Sequence, residues 1–219
     1  ATQRCGLYLT AINFHLKPAE VSYIVSNSGA KAVFAGGNVS DLIGAWADLP
    51  ALRHRVSFDQ PWPGHLLLED IISQSSDVRP EFEPRGADML YSSGTTGRPK
   101  GVRPPLPARQ VSEPGGSAMV LFGDTFGFNS DTVYLCPAPL YHAAPSRSCA
   151  VVHALGGTTV VMDHFDAEAA LASIEKSQAN ASQWVPTMFV RMLKLGANVK
   201  NKYDVRSMKT AIHAAAPCP

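Results

Sequence analysis

Short apolar runs of strand length alternate with stretches of helical periodicity along most of this chain, and that alternation is the signature of an α/β architecture. Pro18 suits a first helical turn, Val21, Ile24 and Val25 give one apolar face, and Gly29 can close the helix. A strand is expected over 31–35, a helix over 38–47, a strand over 53–58 and a helix over 65–73. Further along, strands are expected over 132–136, 158–162 (buried), 181–185 and 208–213. Helices are expected over 147–155, from an Asp166 N-cap with Ala167, Ala170, Leu171 and Ile174 on one face, and over 187–195 with Gly196 as the stop. The fold class is therefore α/β, built as Rossmann-like layered subdomains that meet near position 90, without an internal repeat.

One segment breaks this pattern. Between the apolar run 87–91 and Gly101-Val102 stands Ser92-Ser93-Gly94-Thr95-Thr96-Gly97-Arg98-Pro99-Lys100. Glycines bring backbone N–H groups close to a ligand, hydroxyls rotate to meet phosphate oxygens, and the lysine adds a compact charge. The segment is suited to a polyphosphate, although a plain Ser/Thr/Gly surface loop has a similar composition. It is not a G-x-x-x-x-G-K-[ST] loop, because Pro99 precedes Lys100 and Gly101 follows it. Pro99 also disfavours helix at Arg98, so a strand, a hairpin-like loop and a returning strand are expected.

The stretch Ser92–Val102 resembles the phosphate-binding signature of the adenylate-forming (AMP-binding) superfamily. Other segments agree in order: Gly6–Asn13 with Leu16–Glu20, Pro139-Leu140-Tyr141-His142, Gln183-Trp184-Val185-Pro186-Thr187, and His213-Ala214-Ala215-Ala216-Pro217. The wording is most similar to fatty-acyl-CoA synthetases, and the chain resembles part of the large N-terminal domain of such enzymes. Family members continue with an acidic motif, a ribose-binding aspartate, a hinge and a C-terminal domain with another lysine. The resemblance thus implies an internal fragment, inactive alone, with that C-terminal domain absent. The expected division is a first α/β subdomain over 1–86, strand–phosphate loop–strand over 87–102, an irregular Pro-rich connector and helix over 103–131, and a second α/β subdomain over 132–219. Prolines 104, 105, 107 and 114 make 103–116 irregular, where the family more often has a helix.

The resemblance implies ATP-dependent activation of a fatty acid as an acyl-adenylate, then thioester formation with CoA. Pyrophosphate leaves in the first step, so donors at the β- and γ-phosphates are what the chemistry needs. The candidates for ATP are Ser92, Ser93, Gly94, Thr95, Thr96, Gly97 and Lys100, with Ala215 beside the adenylate and Ser92 next to Mg²⁺. Lys100 and His142 are the catalytic candidates. His142, Trp184, Thr187, Ala215 and Ala216 are the candidates for the acid. Each has a plainer alternative: a packed histidine, strand-to-helix core at Trp184, Thr187 and Met188, and a small-residue strand end at 214–216. An adenylation domain loading a carrier protein, a luciferase-like enzyme and a non-catalytic nucleotide-binding module stay open as other functions.

Charge and composition exclude several classes. A net charge of +1 without a basic run points away from nucleic acid, and 45% hydrophobic residues are those of a globular protein. Cys5, Cys136, Cys149 and Cys218 lack metal-ligand spacing and read as buried thiols of a reducing compartment. No signal peptide or long apolar span is present, so a cytoplasmic location is expected, with peripheral membrane contact and a homodimer left open.

Overall fold

The computed structural model describes residues 2–92, 98–113, 116 and 121–217. The chain packs as two compact units, Ala1–Glu113 and Pro114–Pro219. Among the described residues no helix is long and apolar enough to cross a membrane.

In the first unit, helix α1 (Pro18–Asn27) starts with proline at its first turn, and the Glu20 carboxylate accepts from the Lys17 N–H at 2.9 Å while the Glu20 N–H donates to the Lys17 carbonyl at 2.9 Å. It buries Val21, Ile24 and Val25, as the periodicity predicts, and Gly29 beyond its end has φ +68°. Strands β2 (Ala32–Ala35), β3 (His54–Ser57) and β4 (Leu66–Leu67) form a parallel sheet in that order. Val21, Val25, Leu42, Trp46, Leu52 and Trp62 close its core. Strand β1 (Tyr8–Leu9) pairs in parallel with β5 (Ala87–Asp88), and β6 (Leu90–Ser92) pairs antiparallel with β7 (Lys100–Val102).

Two expectations here are corrected. The helix expected over 38–47 is a 3₁₀ stretch, Gly37–Ala45, interrupted where β-branched Val39 takes φ −120° and ψ 26°. The helix expected over 65–73 gives its first residues to the sheet: Leu66 and Leu67 pair with Val56 and Ser57, and α2 (Leu68–Gln74) starts afterwards. The apolar run 87–91 is also split, because Met89 donates its N–H to the Leu9 carbonyl at 2.9 Å, ending one pairing as the next begins.

The second unit is a four-stranded parallel sheet ordered β11–β10–β8–β9, from β8 (Val133–Cys136), β9 (Thr158–Val161), β10 (Ala181–Trp184) and β11 (Thr210–His213). Helix α3 (Ala143–Ala154) packs on one face, where Cys149 and Val152 meet Tyr134, Cys136 and Ala181. Helices α4 (Ala167–Ser177) and α5 (Pro186–Leu193) cover the other, where Ala170, Ile174 and Met188 meet Leu135 and Trp184. A short α6 (Ala197–Lys200) leads toward β11. Asp166 caps α4, accepting from the Ala169 N–H at 2.9 Å.

Helix α3 starts at Ala143 rather than 147, because Pro145 falls in its first turn, where a missing N–H costs nothing. Strand β9 is half-exposed rather than buried, since it lies at the sheet edge. Cys136 and Cys149 are buried as expected. Cys5 is exposed, following the opening 3₁₀ turn, and Cys218 lies outside the described residues. The described part of 103–116 carries no helix, only an isolated bridge between Gln110 and Pro84.

Candidate active site

The unusual Ser/Thr/Gly segment hangs on a hairpin. Strands β6 and β7 are antiparallel with Leu90 opposite Val102, Tyr91 opposite Gly101 and Ser92 opposite Lys100. Directly opposed residues point to the same face. The Ser92 hydroxyl and the Lys100 ammonium therefore share one face, both exposed, at the ends of the intervening segment. The strand expected before the segment and the strand expected after it are both present and pair with each other, and no helix stands among residues 98–102. Ser93, Gly94, Thr95, Thr96 and Gly97 lie outside the described residues.

The other face of the hairpin shows why position 101 is glycine. A Cβ there would stand 2.8 Å from Tyr91 Cζ and 3.0 Å from Met89 Cε, so the Tyr91 ring lies across the bare backbone. From there its hydroxyl donates to Asn27 Oδ1 at 2.7 Å, at the end of α1. Beyond the segment, the Arg98 guanidinium lies 5.4 Å from the Tyr23 ring centre. An open cavity of about 460 Å³ lies beside α1 and the Arg98-Pro99 stretch, lined among others by Ser22, Tyr23, Ser26, Arg98 and Pro99.

In the second unit the remaining candidates share one edge. Strand β8 has β9 on one side and β10 on the other, so the chain reverses its direction of travel between β8 and β10. Such a switch point opens a crevice at the carboxyl ends of the strands, where α/β proteins take their ligands. His142 follows β8 through Pro137 and Pro139 and occupies the N-cap position of α3, with φ −85° and ψ 146°. Its ring is exposed, 4.7 Å from that of Tyr141, and makes no cap bond. Thr187 follows β10, exposed in the first turn of α5 just after Pro186.

Ala215 and Ala216 follow β11, whose end is tied to β10 by the Ala214 N–H donating to the Trp184 carbonyl at 3.1 Å. Both alanines are exposed, and Ala215 has φ +75°, a conformation that residues other than glycine seldom adopt. His142, Thr187, Ala215 and Ala216 are thus gathered on the carboxyl edge of one sheet. Trp184 differs: the residue is 3% exposed, and its ring centre lies 6.4 and 5.8 Å from those of Phe165 and Phe189.

Among the described residues no cluster of three or more His, Cys, Asp or Glu could hold a metal ion. A hydroxyl beside an ammonium suits phosphate oxygens, and Mg²⁺ ordinarily arrives at such sites already held by those oxygens. Reasoning from the sequence did not reach Asn27, which stands 64 residues from its partner Tyr91. An aromatic residue opposite a glycine in a hairpin is the signal that would have drawn attention to Tyr91.

A family model described as AMP-binding enzyme matches residues 1–219. The chain belongs to the AMP-binding enzyme family. Among curated relatives of this AMP-binding chain, the mitochondrial medium-chain acyl-CoA ligase ACSF2 of Danio rerio is 28% identical over 253 residues, covering 100% of this chain and 40% of that protein. The long-chain-fatty-acid–CoA ligase FadD13 of Mycobacterium tuberculosis is 29% identical over 225 residues, covering 99% and 41%. The chain thus spans about two fifths of the length of these relatives.

Among solved structures, the inhibitor-bound N-terminal domain of FACL13 from Mycobacterium tuberculosis superposes with a TM-score of 0.78 at 25% identity, over 98% of this chain and 52% of that one. The anthranilate CoA ligase AuaEII, bound to anthranoyl-AMP, superposes at 0.76 and 22% identity over 95% and 40%, a likeness of fold alone. The α/β fold of this AMP-binding chain is that of the N-terminal domain of acyl-CoA synthetases.

Proposed function

We propose that the complete polypeptide carrying this chain is an AMP-forming acid–CoA ligase that takes fatty acids. A carboxylate oxygen attacks the α-phosphorus of ATP, pyrophosphate leaves, and the CoA thiol then attacks the acyl carbon and expels AMP. The observation that carries the reading is the hairpin that sets Ser92 and Lys100 side by side at the ends of a Ser/Thr/Gly segment, in a chain matched throughout by the AMP-binding family. Lys100 would neutralise charge gathering on the departing pyrophosphate, together with Ser92 and the hydroxyls and N–H groups of 93–97. Each charge-assisted bond contributes about 1.5–3 kcal/mol.

Mg²⁺, when bound on the nucleotide, would screen the same charge, with Ser92 Oγ as its contact from this chain. His142, Thr187, Ala215 and Ala216 would face the acyl-adenylate from the carboxyl edge of the second sheet. Fatty acid as the substrate draws support from the names of the medium-chain and long-chain ligases among the relatives.

The test is ATP–pyrophosphate exchange by the complete polypeptide over a panel of fatty and aromatic acids. Exchange with fatty acids is expected, and Lys100→Ala and Thr95→Ala should slow it more than they slow thioester formation from preformed acyl-adenylate. Wild-type exchange rates in both variants would remove the assignment, and exchange with aromatic acids only would move the substrate class.

A further inference from the structure

The hairpin is held from both ends by one helix. Tyr23 and Asn27 are one turn apart on α1, on the same face of the helix, and each meets the chain on a different side of the Ser/Thr/Gly segment. Asn27 accepts the Tyr91 hydroxyl at 2.7 Å immediately before Ser92, and Tyr23 receives the Arg98 guanidinium two positions before Lys100. Burial and the neighbouring Tyr23 raise the Tyr91 pKa, so its hydroxyl stays a donor. Gly101 gives the Tyr91 ring its route to α1, since a side chain at 101 would occupy that space.

From this arrangement we infer that Asn27, Tyr91, Tyr23 and Arg98 are positioning residues, a clamp by which α1 presets the direction in which the paired Ser92 and Lys100 face the β- and γ-phosphates. The inference rests on the nucleotide reading above and adds residues to it.

The physical reason is entropic. Side chains such as Ser92 and Lys100 that converge on a polyphosphate lose conformational freedom on binding, and fixing the backbone that carries them beforehand lowers that loss. The clamp acts where the segment joins β6 and β7, away from any contact with adenine or ribose. Its effect should therefore fall on ligands with β- and γ-phosphates and spare those without them. A merely structural role would weaken both alike.

The experiment compares binding of α,β-methylene ATP with Mg²⁺ and of AMP, by calorimetry, to the complete polypeptide and to Tyr91→Phe, Asn27→Ala and the double variant. Loss of one neutral hydrogen bond predicts a three- to tenfold weaker ATP analogue, roughly, with AMP affinity unchanged. The double variant should lose no more than either single one, because both remove the same bond. Equal weakening of both ligands, unchanged affinity for the ATP analogue, or additive losses would each overturn the clamp. A wild-type protein that binds neither ligand would overturn the nucleotide reading and the clamp with it, whereas a wild type that binds both, beside insensitive variants, would sink the clamp alone.

Discussion

Ala215 carries the clearest local tension in the second unit. Its φ of +75° places a Cβ in the left-handed region, at the exposed end of β11, in the segment expected to lie beside the adenylate. An L-residue there loses about 1–2 kcal/mol that glycine does not, partly offset by the greater freedom glycine has in the unfolded chain. Ala215→Gly should therefore leave the urea midpoint unchanged or slightly raised, while Ala215→Val, β-branched, should lower it clearly. Equal losses in both would show that the left-handed backbone is not kept in solution. Single residues were legible in the sequence where one local contact decided their role. Asp166 read as a cap and caps; Gly29 read as a helix stop and takes positive φ. Asn27 carried no such signal, because its partner is brought to it only by tertiary structure.

At the scale of elements, the connector before the hairpin is pinned by one carboxylate. Glu83 is 5% exposed and holds Arg4 with two bonds, Nε at 2.8 Å and Nη2 at 2.6 Å, and Arg79 at 2.6 Å. The Arg4 hydrogen bond, helped by Arg79 and opposed by desolvation, keeps its carboxyl below the ordinary range. A carboxyl whose folded pKa is depressed adds stability above its unfolded value, about 4.3, and loses it as pH falls through the folded value. Glu83→Gln should therefore be less stable than wild type near neutral pH, the gap in melting temperature closing as pH drops below about 4. A gap of constant size down to strongly acid pH would show that this charge is not what ties the connector.

Elements were legible where apolar period and end signals agreed, as in α1 and α4. They were misread where tertiary pairing overrode local pattern: Leu66 and Leu67 fit a helix face but complete a sheet, and the apolar residues of β9 lie at its open edge. The run Gly37–Ala45 has the apolar spacing of a helix, yet the break at Val39 leaves it 3₁₀.

Over the whole molecule, each unit encloses its own core, and the second unit shows how packing divides the sequence-level candidates. Odd and even positions of β10 face opposite layers: Ala181 joins the α3 side and Trp184 the α4–α5 side. Trp184 is thereby enclosed by Leu135, Ala170, Ile174 and Met188, while Thr187, three residues on, is exposed at the carboxyl edge. The two candidates from one motif should then behave differently. Trp184→Ala removes a large buried ring and should cost about 3–5 kcal/mol in the urea unfolding of the unit that holds it. The milder Trp184→Phe should keep the order of preference among fatty acids in pyrophosphate exchange. Thr187→Val should leave stability within about 0.5 kcal/mol, as surface changes do, and shift that order. A Trp184→Phe variant that reorders the acids at unchanged stability would place the indole against substrate instead of in the core, and the crevice at the switch point would then have to reach beneath α5.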